Sequence, residues 1–142
     1  NEFVRERARA LMQNLERCGV RNAVVTSSDT ASLCAGLTER FDAVLVEGAG
    51  GLMVPLAPDC LTIDYIQHSG YPLVFVTSGR LGSVNHTLLS FEAIERRGIS
   101  LHTVMYYPEG EDKIIQEDTE NYIRHYMEKH FPEAEFVKVP CL

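Results

Sequence analysis

The sequence predicts an α/β fold built on a three-layer, mostly parallel sheet with helices on both faces. Two observations predict it. Short apolar, β-branched runs alternate along the chain with longer segments whose apolar residues recur every three or four positions. The runs are also continuously apolar, as in parallel strands that are buried on both faces. The chain has 142 residues, 45% of them hydrophobic, so we expect a single α/β domain over residues 1–142.

The first 46 residues predict a helix, a strand, a short helix and a second strand. Over Phe3–Arg17 the apolar side chains lie at spacings of three and four, which indicates an amphipathic helix that Gly19 ends. The β-branched run Asn22–Thr26 predicts a short strand, and Thr30–Leu37 predicts a short helix. Ala43–Val46 is continuously apolar and therefore predicts a strand buried on both faces.

The remaining residues predict three helices that alternate with three strands. Gly70 and Gly98 follow two of the helical segments, as glycines at helix ends commonly do. Helices of this length between strands imply right-handed crossovers and a parallel sheet. In order, the predicted elements are helix Thr62–His68, strand Leu73–Ser78, helix Val84–Arg97, strand Ile99–Tyr106, helix Lys113–His130 and strand Phe136–Val139.

Composition and charge exclude several classes of protein. The four cysteines lie far apart without a CxxC pair, which indicates neither a structural zinc site nor a disulfide scaffold. The net charge of −7 disfavours a nucleic-acid partner. No apolar run approaches the roughly 20 residues of a membrane helix, and the N-terminus has no signal-peptide pattern. These features predict a cytoplasmic protein that does not enter a membrane.

The stretch VLVEGAGGLMVPL, Val44–Leu56, carries the first candidate site. An acid that ends a buried strand can hold hydrated Mg²⁺, and glycines after it let backbone N–H groups approach an anion. Glu47 and the glycines that follow meet both conditions. The alternative is a tight loop with a solvated Glu47. In parallel sheets ligands bind beyond the carboxyl ends of the strands, so we expect Glu47, residues 77–82 and the residues after Tyr106 to share one edge.

The segments VEGAGGLMVPL, TIDYIQHSGYPLVFVTSGRLGSVNHTLLSFEAIERRGI and the terminal VPCL resemble dethiobiotin synthetases, in the order that the family has them. The resemblance covers about Phe41–Leu142. It implies a P-loop-NTPase-like, Rossmann-like fold and an ATP- and Mg²⁺-dependent ligase of biotin biosynthesis. Such a ligase makes a cyclic urea from a diamino fatty acid and CO₂. It also implies a homodimer whose ligands are a nucleotide and a small diamino carboxylic acid.

The resemblance assigns roles to individual residues. Glu47 is expected to bind Mg²⁺. For Asn85 the alternative is a helix-start residue bonded to its own backbone, and for the last three residues it is a frayed tail. The residues expected near nucleotide phosphates and substrate are Gly48, Ala49 and Gly50; those expected to receive the substrate carboxylate across the dimer interface are Leu81, Gly82, Ser83, Val84 and Asn85; those expected at the nucleotide base are Pro140, Cys141 and Leu142.

Two departures from the dethiobiotin synthetase pattern stand out. The 142 residues contain no GxxxxGK[ST] phosphate loop, and the sequence TVMYYPEGED has no asparagine where the family carries one for the base. Phosphoryl transfer depends on preorganised contacts of this kind. We therefore expect the chain alone to be inactive as a ligase.

Residues 1–45 are similar to RNA cytosine-C5 methyltransferases of the Nol1/Nop2/Sun type, with Asp29 as the cofactor-contacting acid. The two resemblances meet in FDAVLV, which predicts a chimera with a methyltransferase-like helix–strand–helix over residues 1–45 and a dethiobiotin-synthetase-like portion over residues 46–142. The charge divides in the same place, since residues 1–45 carry six basic and six acidic side chains and the rest seven and fourteen. Two alternatives to the ligase stay open: a non-catalytic α/β dimerisation or binding module, and an RNA methyltransferase fragment.

Overall fold

The computed structural model describes residues 1–36, 42–48, 50–109 and 112–140. The chain forms two compact units, an N-terminal unit (Asn1–Val46) and a C-terminal unit (Glu47–Leu142). Whether the chain is one domain stays a prediction. The helices and strands, numbered in chain order, are α1 (Arg5–Arg17), α2 (Thr30–Gly36), β1 (Pro55–Ala57), β2 (Cys60–Leu61), α3 (Thr62–Ser69), β3 (Leu73–Ser78), α4 (Ser83–Arg96), β4 (Leu101–Tyr107), α5 (Lys113–His130) and β5 (Glu135–Lys138).

The N-terminal unit has the two predicted helices, α1 and α2, but the predicted strand Asn22–Thr26 is wrong. This segment is neither helix nor strand, and Val24 is 88% exposed. One backbone bond, from the Glu2 N–H to the Thr26 carbonyl at 2.9 Å, links it to the start of the chain. A β-branched run favours an extended backbone, but a strand also needs a ladder with a partner, and a single bond does not make one.

The predicted buried strand Ala43–Val46 is wrong as well. Residues 42–48 are neither helix nor strand. The side chains of Val44 and Leu45 are 75% and 88% exposed, and Val46 is 59% exposed. Continuous hydrophobicity predicted a central strand, but the described residues supply no strand that pairs with this segment.

A small antiparallel hairpin that the sequence did not predict joins β1 to β2. Pro55 pairs with Leu61 and Ala57 with Cys60, so Pro58 and Asp59 form the connecting turn. Proline followed by aspartate is a common turn sequence, and it was the signal that could have revealed the hairpin. The hairpin leads directly into α3.

The main sheet confirms the predicted α/β class. Strands β3, β4 and β5 are parallel, lie in that order, and are joined by α4 and α5. Strand β3 and helix α5 have the predicted bounds, and the other predicted elements of the C-terminal unit lie within one or two residues of the observed ones. The carboxyl ends of the three strands therefore meet at one edge of the sheet, which we call the carboxyl edge.

Helices α4 and α5 cover the same face of the sheet. Thr77 and Tyr106 are paired in register on neighbouring strands, so their side chains share that face. The Thr77 hydroxyl lies 2.7 Å from that of Thr87 on α4, and the Tyr106 hydroxyl donates a 2.7 Å bond to the carbonyl of Gln116 on α5.

One hydrophobic cluster stabilises the C-terminal unit. The Phe91 ring on α4 packs 5.5 Å from that of Phe75 on β3 and 5.1 Å from Phe131 after α5. Burial of such side chains contributes roughly 1.5–3 kcal/mol each and is the main source of stability. The buried members are Ile63, Phe91, Ile94, Ile99, Leu101, Val104, Tyr106, Ile123 and Met127.

Polar contacts fix the position of α5. The side chain of Asp112 accepts hydrogen bonds from the N–H groups of Ile114 and Ile115 at the helix start. Further along, Glu120 accepts bonds from Arg124 at 2.9 Å and from Lys138 of β5 at 2.7 Å. Burial by itself would raise the pKa of Glu120, but the hydrogen bonds from Lys138 and Arg124 outweigh it, so the pKa is lowered.

Candidate ligand-binding site

A tight turn follows Glu47; we call Gly48 and Gly50–Val54 the glycine turn. Gly50 has φ +89°, a left-handed backbone that favours glycine, and a Cβ there would come 2.9 Å from Val54 Cγ2. A Cβ on Gly48 would lie 3.2 Å from Thr62 Cγ2, which leaves little room for a larger residue. Ala49 lies outside the described residues. Local packing therefore favours glycine at positions 48 and 50, independently of any contact with a ligand.

Backbone hydrogen bonds attach the glycine turn to the start of α3. The Thr62 N–H donates to the Val54 carbonyl at 2.8 Å, and the Ile63 N–H donates to the Leu52 carbonyl at 2.8 Å. The Thr62 hydroxyl adds a bond to the same Val54 carbonyl at 3.1 Å. Since Ile63 is fully buried, the turn is fixed to the hydrophobic cluster.

Glu47 lies just before this turn with its side chain exposed. Among the described residues it has no ion-pair partner, and the same residues contain no group of three or more His, Cys, Asp or Glu side chains placed to hold a metal. Mg²⁺ commonly keeps several waters and takes one or two carboxylates together with substrate phosphates. A single free carboxylate fits that mode of binding and does not fit an all-protein metal cage.

The predicted carboxylate-binding segment forms the start of α4. Gly82 has φ +90° and directly precedes the helix, while the Ser83 hydroxyl lies 3.1 Å from that of Ser78 at the end of β3. Leu81 is 86% exposed, Val84 is half-buried and Asn85 is exposed. The alternative for Asn85, a side chain bonded to its own backbone, is not seen in the described part of the chain.

The glycine turn and α4 line one cavity of about 500 Å³. Its helix side consists of residues spaced three or four apart, which therefore lie on one face of α4. Met53 and Leu89, on opposite sides of the cavity, are 59% and 58% exposed. Of the described site residues that the sequence singled out, only Gly50 lines this cavity; Glu47, Gly48 and the segment Leu81–Asn85 lie outside its lining, and α4 contributes the residues from His86 onward. The lining residues are Gly50, Gly51, Leu52, Met53, Val54, His86, Leu89, Ser90 and Ala93.

The end of the described chain lies at the carboxyl edge. The Val139 N–H donates to the Tyr106 carbonyl at 2.8 Å, which places the exposed Pro140 beyond the end of β5. Cys141 and Leu142 lie outside the described residues.

Two residues at the carboxyl edge were missed by the sequence reasoning. Arg80, after β3, forms an ion pair with Glu109, after β4. The hydrogen bond to Glu109, followed by the charge of that carboxylate, raises the pKa of Arg80. The available signal was one basic and one acidic residue shortly after two neighbouring strands, which the topology of a parallel sheet brings to one edge.

Comparison with known proteins assigns the chain to a family. A family model described as an AAA domain matches residues 10–136. The ATP-dependent dethiobiotin synthetase BioD 2 of Pasteurella multocida (strain Pm70) is 46% identical over 109 residues, which cover 75% of this chain and 49% of the relative. BioD 2 of Haemophilus influenzae (strain ATCC 51907 / DSM 11121 / KW20 / Rd) is 63% identical over 75 residues, which cover 51% of this chain and 39% of the relative. BioD 2 of Haemophilus ducreyi (strain 35000HP / ATCC 700724) is 42% identical over 120 residues, which cover 83% of this chain and 56% of the relative.

The chain spans about half the length of these curated relatives. The resemblance to dethiobiotin synthetases predicted from the sequence is confirmed. The methyltransferase resemblance and the chimera receive no support, because one family model matches residues 10–136, a span that includes residues 41–46, where the join was placed. As for membranes, none of the described helices is long and apolar enough to cross one.

Proposed function

The chain belongs to the AAA domain family, and we propose that it is part of an ATP-dependent dethiobiotin synthetase. In this proposal the chain carries a magnesium-binding glutamate and the binding site for the substrate carboxylate. The reaction is the closure of a cyclic urea from a diamino fatty acid and CO₂. The observation that carries the proposal is the shared cavity of the glycine turn and α4. The glycine turn and α4, which carry parts of the family's two sequence signatures, both line this cavity, and this supports the proposal.

Glu47 and the glycine turn form the nucleotide side of the proposed site. The exposed carboxylate of Glu47 would hold the Mg²⁺ that accompanies ATP. Bound Mg²⁺ neutralises phosphate charge during phosphoryl transfer. Gly48, Ala49 and Gly50 would let backbone N–H groups approach the phosphates, because no Cβ intervenes. Pro140, Cys141 and Leu142 would contact the base.

The start of α4 forms the substrate side. Backbone N–H groups in the first turn of a helix have no partner within the helix, and they favour a carboxylate. Gly82 allows the chain to enter the helix through a left-handed conformation. The Ser83 N–H already donates to the Arg80 carbonyl at 3.0 Å, so the N–H groups of Val84 and Asn85 would be the ones that receive the carboxylate. We assign the carboxylate tail of the diamino acid to Leu81, Gly82, Ser83, Val84 and Asn85.

The active form would be a homodimer in which the carboxylate tail crosses the interface. Three large apolar side chains near the proposed site, Met53, Leu81 and Leu89, are more than half exposed, which favours a partner surface over solvent. We expect sedimentation velocity at micromolar concentration to show a dimer, and Leu89→Glu to shift it towards monomer. A strict monomer would count against the dimer. The cytoplasmic location stays a prediction.

The test of the proposed function separates binding from turnover. Calorimetric titration of the chain with the diamino fatty acid should show binding, and titration with Mg²⁺ and ATP should show binding that weakens at least tenfold in Glu47→Gln. The matched control is Glu117→Gln, which removes an equally exposed carboxylate from α5 and should leave both affinities unchanged.

Mass spectrometry of the same chain incubated with ATP, Mg²⁺, bicarbonate and the diamine tests catalysis. Because the 142 residues contain no GxxxxGK[ST] loop, we expect no cyclic urea above background. Efficient product formation would show that the inference from the missing loop is wrong, and absence of diamino acid binding would overturn the substrate assignment.

A further inference from the structure

The ion pair between Arg80 and Glu109 links the two loops that leave the carboxyl edge at β3 and β4. Arg80 lies two residues after the end of β3, and Glu109 lies two residues after the end of β4. Arg80 Nη2 donates to Glu109 Oε1, and the two side chains are 65% and 39% exposed. The residues stand 29 positions apart in sequence, so only the parallel register of the strands brings them together.

Arg80 belongs to the turn that opens α4, and two backbone hydrogen bonds hold this turn, one to β4 and one within the turn itself. The Gly79 N–H donates to the Tyr107 carbonyl at 3.0 Å, and the Ser83 N–H closes the turn on the Arg80 carbonyl at 3.0 Å. Between these two anchors Leu81 is 86% exposed and contributes little burial that could fix its position. Among the described contacts, the Arg80 side chain links the exposed part of the turn to the loop after β4, in addition to the backbone bonds and the contact between the Ser83 and Ser78 hydroxyls.

We propose that Arg80 and Glu109 are positioning residues for the substrate-binding start of α4. Their ion pair holds the segment Leu81–Asn85 against the loop between β4 and α5, so that its backbone N–H groups converge on the incoming carboxylate. The inference rests on the proposed function, since it takes the diamino acid carboxylate as the ligand of that segment.

The ion pair has a second effect, which would weaken carboxylate binding where positioning strengthens it. Glu109 neutralises a cation that stands next to the proposed anion site. If neutralisation were its main role, removing the Glu109 charge would free Arg80 and strengthen carboxylate binding. Positioning predicts that removal of either partner weakens binding, and that exchanging the two charges restores it.

The experiment compares wild type, Arg80→Gln, Glu109→Gln and the exchanged pair Arg80→Glu with Glu109→Arg. Arg96→Gln is the matched control, because Arg96 forms an exposed ion pair with Glu92 on the same helix, away from its start. Calorimetry gives the dissociation constant for the diamino fatty acid. We expect each single variant to weaken it about threefold, the size typical of an exposed ion pair, and the exchanged pair and the control to stay close to wild type.

Hydrogen exchange of the Leu81–Asn85 amides provides a readout that needs no ligand. Positioning predicts faster exchange of these amides in both single variants and wild-type exchange in the control and the exchanged pair. Tighter binding by Glu109→Gln, or exchange rates unaltered in the single variants, would overturn the inference. If wild type fails to bind the diamino acid, the proposed function fails, and the exchange rates alone then decide whether the pair orders the turn.

Discussion

Of the described glycines, Gly79 is the one where packing leaves the least room for a side chain, and we expect Gly79→Ala to destabilise the C-terminal unit. An added Cβ would lie 2.5 Å from the Tyr106 hydroxyl oxygen and 2.9 Å from Gln116 Cγ. The Tyr106 hydroxyl cannot withdraw easily. Tyr106 is fully buried, and its hydroxyl is held by a 2.7 Å bond to the Gln116 carbonyl.

The structure sets the size of the effect. Forcing a methyl group into a packed interior costs about 1–3 kcal/mol of unfolding free energy. Displacing the Tyr106 hydroxyl also loses a hydrogen bond with a net contribution of about 1 kcal/mol. We therefore expect Gly79→Ala to cost about 2–4 kcal/mol. Tyr106→Phe removes the atom that lies closest to the added Cβ. The double variant should therefore lose about 1 kcal/mol less unfolding free energy than the sum of the losses in the two single variants.

Urea unfolding followed by circular dichroism measures all three variants against wild type. Gly98→Ala is the control, because Gly98 has φ +61° and nothing within 4 Å of an added Cβ. It should lose about 1–2 kcal/mol through backbone strain alone and show no coupling to Tyr106→Phe. Additive effects of Gly79→Ala and Tyr106→Phe, or a loss below about 0.5 kcal/mol for Gly79→Ala, would refute the packing argument.

Three further predictions concern α5. The pKa of Glu120 is lowered in the fold, so its contribution to stability is present above the ordinary carboxyl pKa and is lost as pH falls through the folded-state pKa. The urea midpoint should therefore fall less steeply towards pH 3 in Glu120→Gln than in wild type. Equal slopes in the two proteins would contradict this. Ile123→Ala should cost about 2–5 kcal/mol in urea unfolding, whereas Ile114→Ala, at a 72% exposed site, should change stability by less than about 0.5 kcal/mol. Asp112→Ala should lower the unfolding free energy by about 1 kcal/mol, and Asp112→Asn should retain most of the capping; equal losses would argue against a cap.

The elements that sequence alone predicted well are those whose pattern and packing agree. Helix α5 has the predicted bounds, because its periodic apolar face meets the sheet and Asp112 caps its start. The strand Leu73–Ser78 was also correct, since β4 provides a parallel partner along its length. Two other segments, Asn22–Thr26 and Ala43–Val46, have equally strong β patterns but form no ladder with another strand among the described residues. The sequence pattern cannot reveal whether a partner strand is present.

For the candidate site, the sequence identified the segments but not their contacts. It singled out the residues around Glu47 and the start of α4, and the structure shows the cavity that the neighbouring glycine turn and α4 share. The ion pair between Arg80 and Glu109 could not be predicted, because it depends on the register of β3 against β4. The contact of Gly79 with Tyr106 is equally hidden, because a missing side chain leaves no trace in a hydrophobic pattern.

The consecutive order of the strands has a consequence for how the C-terminal unit folds. In the main sheet each strand pairs with the next one along the chain, so each of the two crossovers closes over only roughly thirty residues, and the entropy lost at each step is small. Sheets assembled from such near neighbours in sequence form faster than those that join distant segments. During synthesis on the ribosome, β3 and α4 emerge first and pair with β4 once it follows. Strand β5 is the last of the three strands to emerge, and it then completes the sheet.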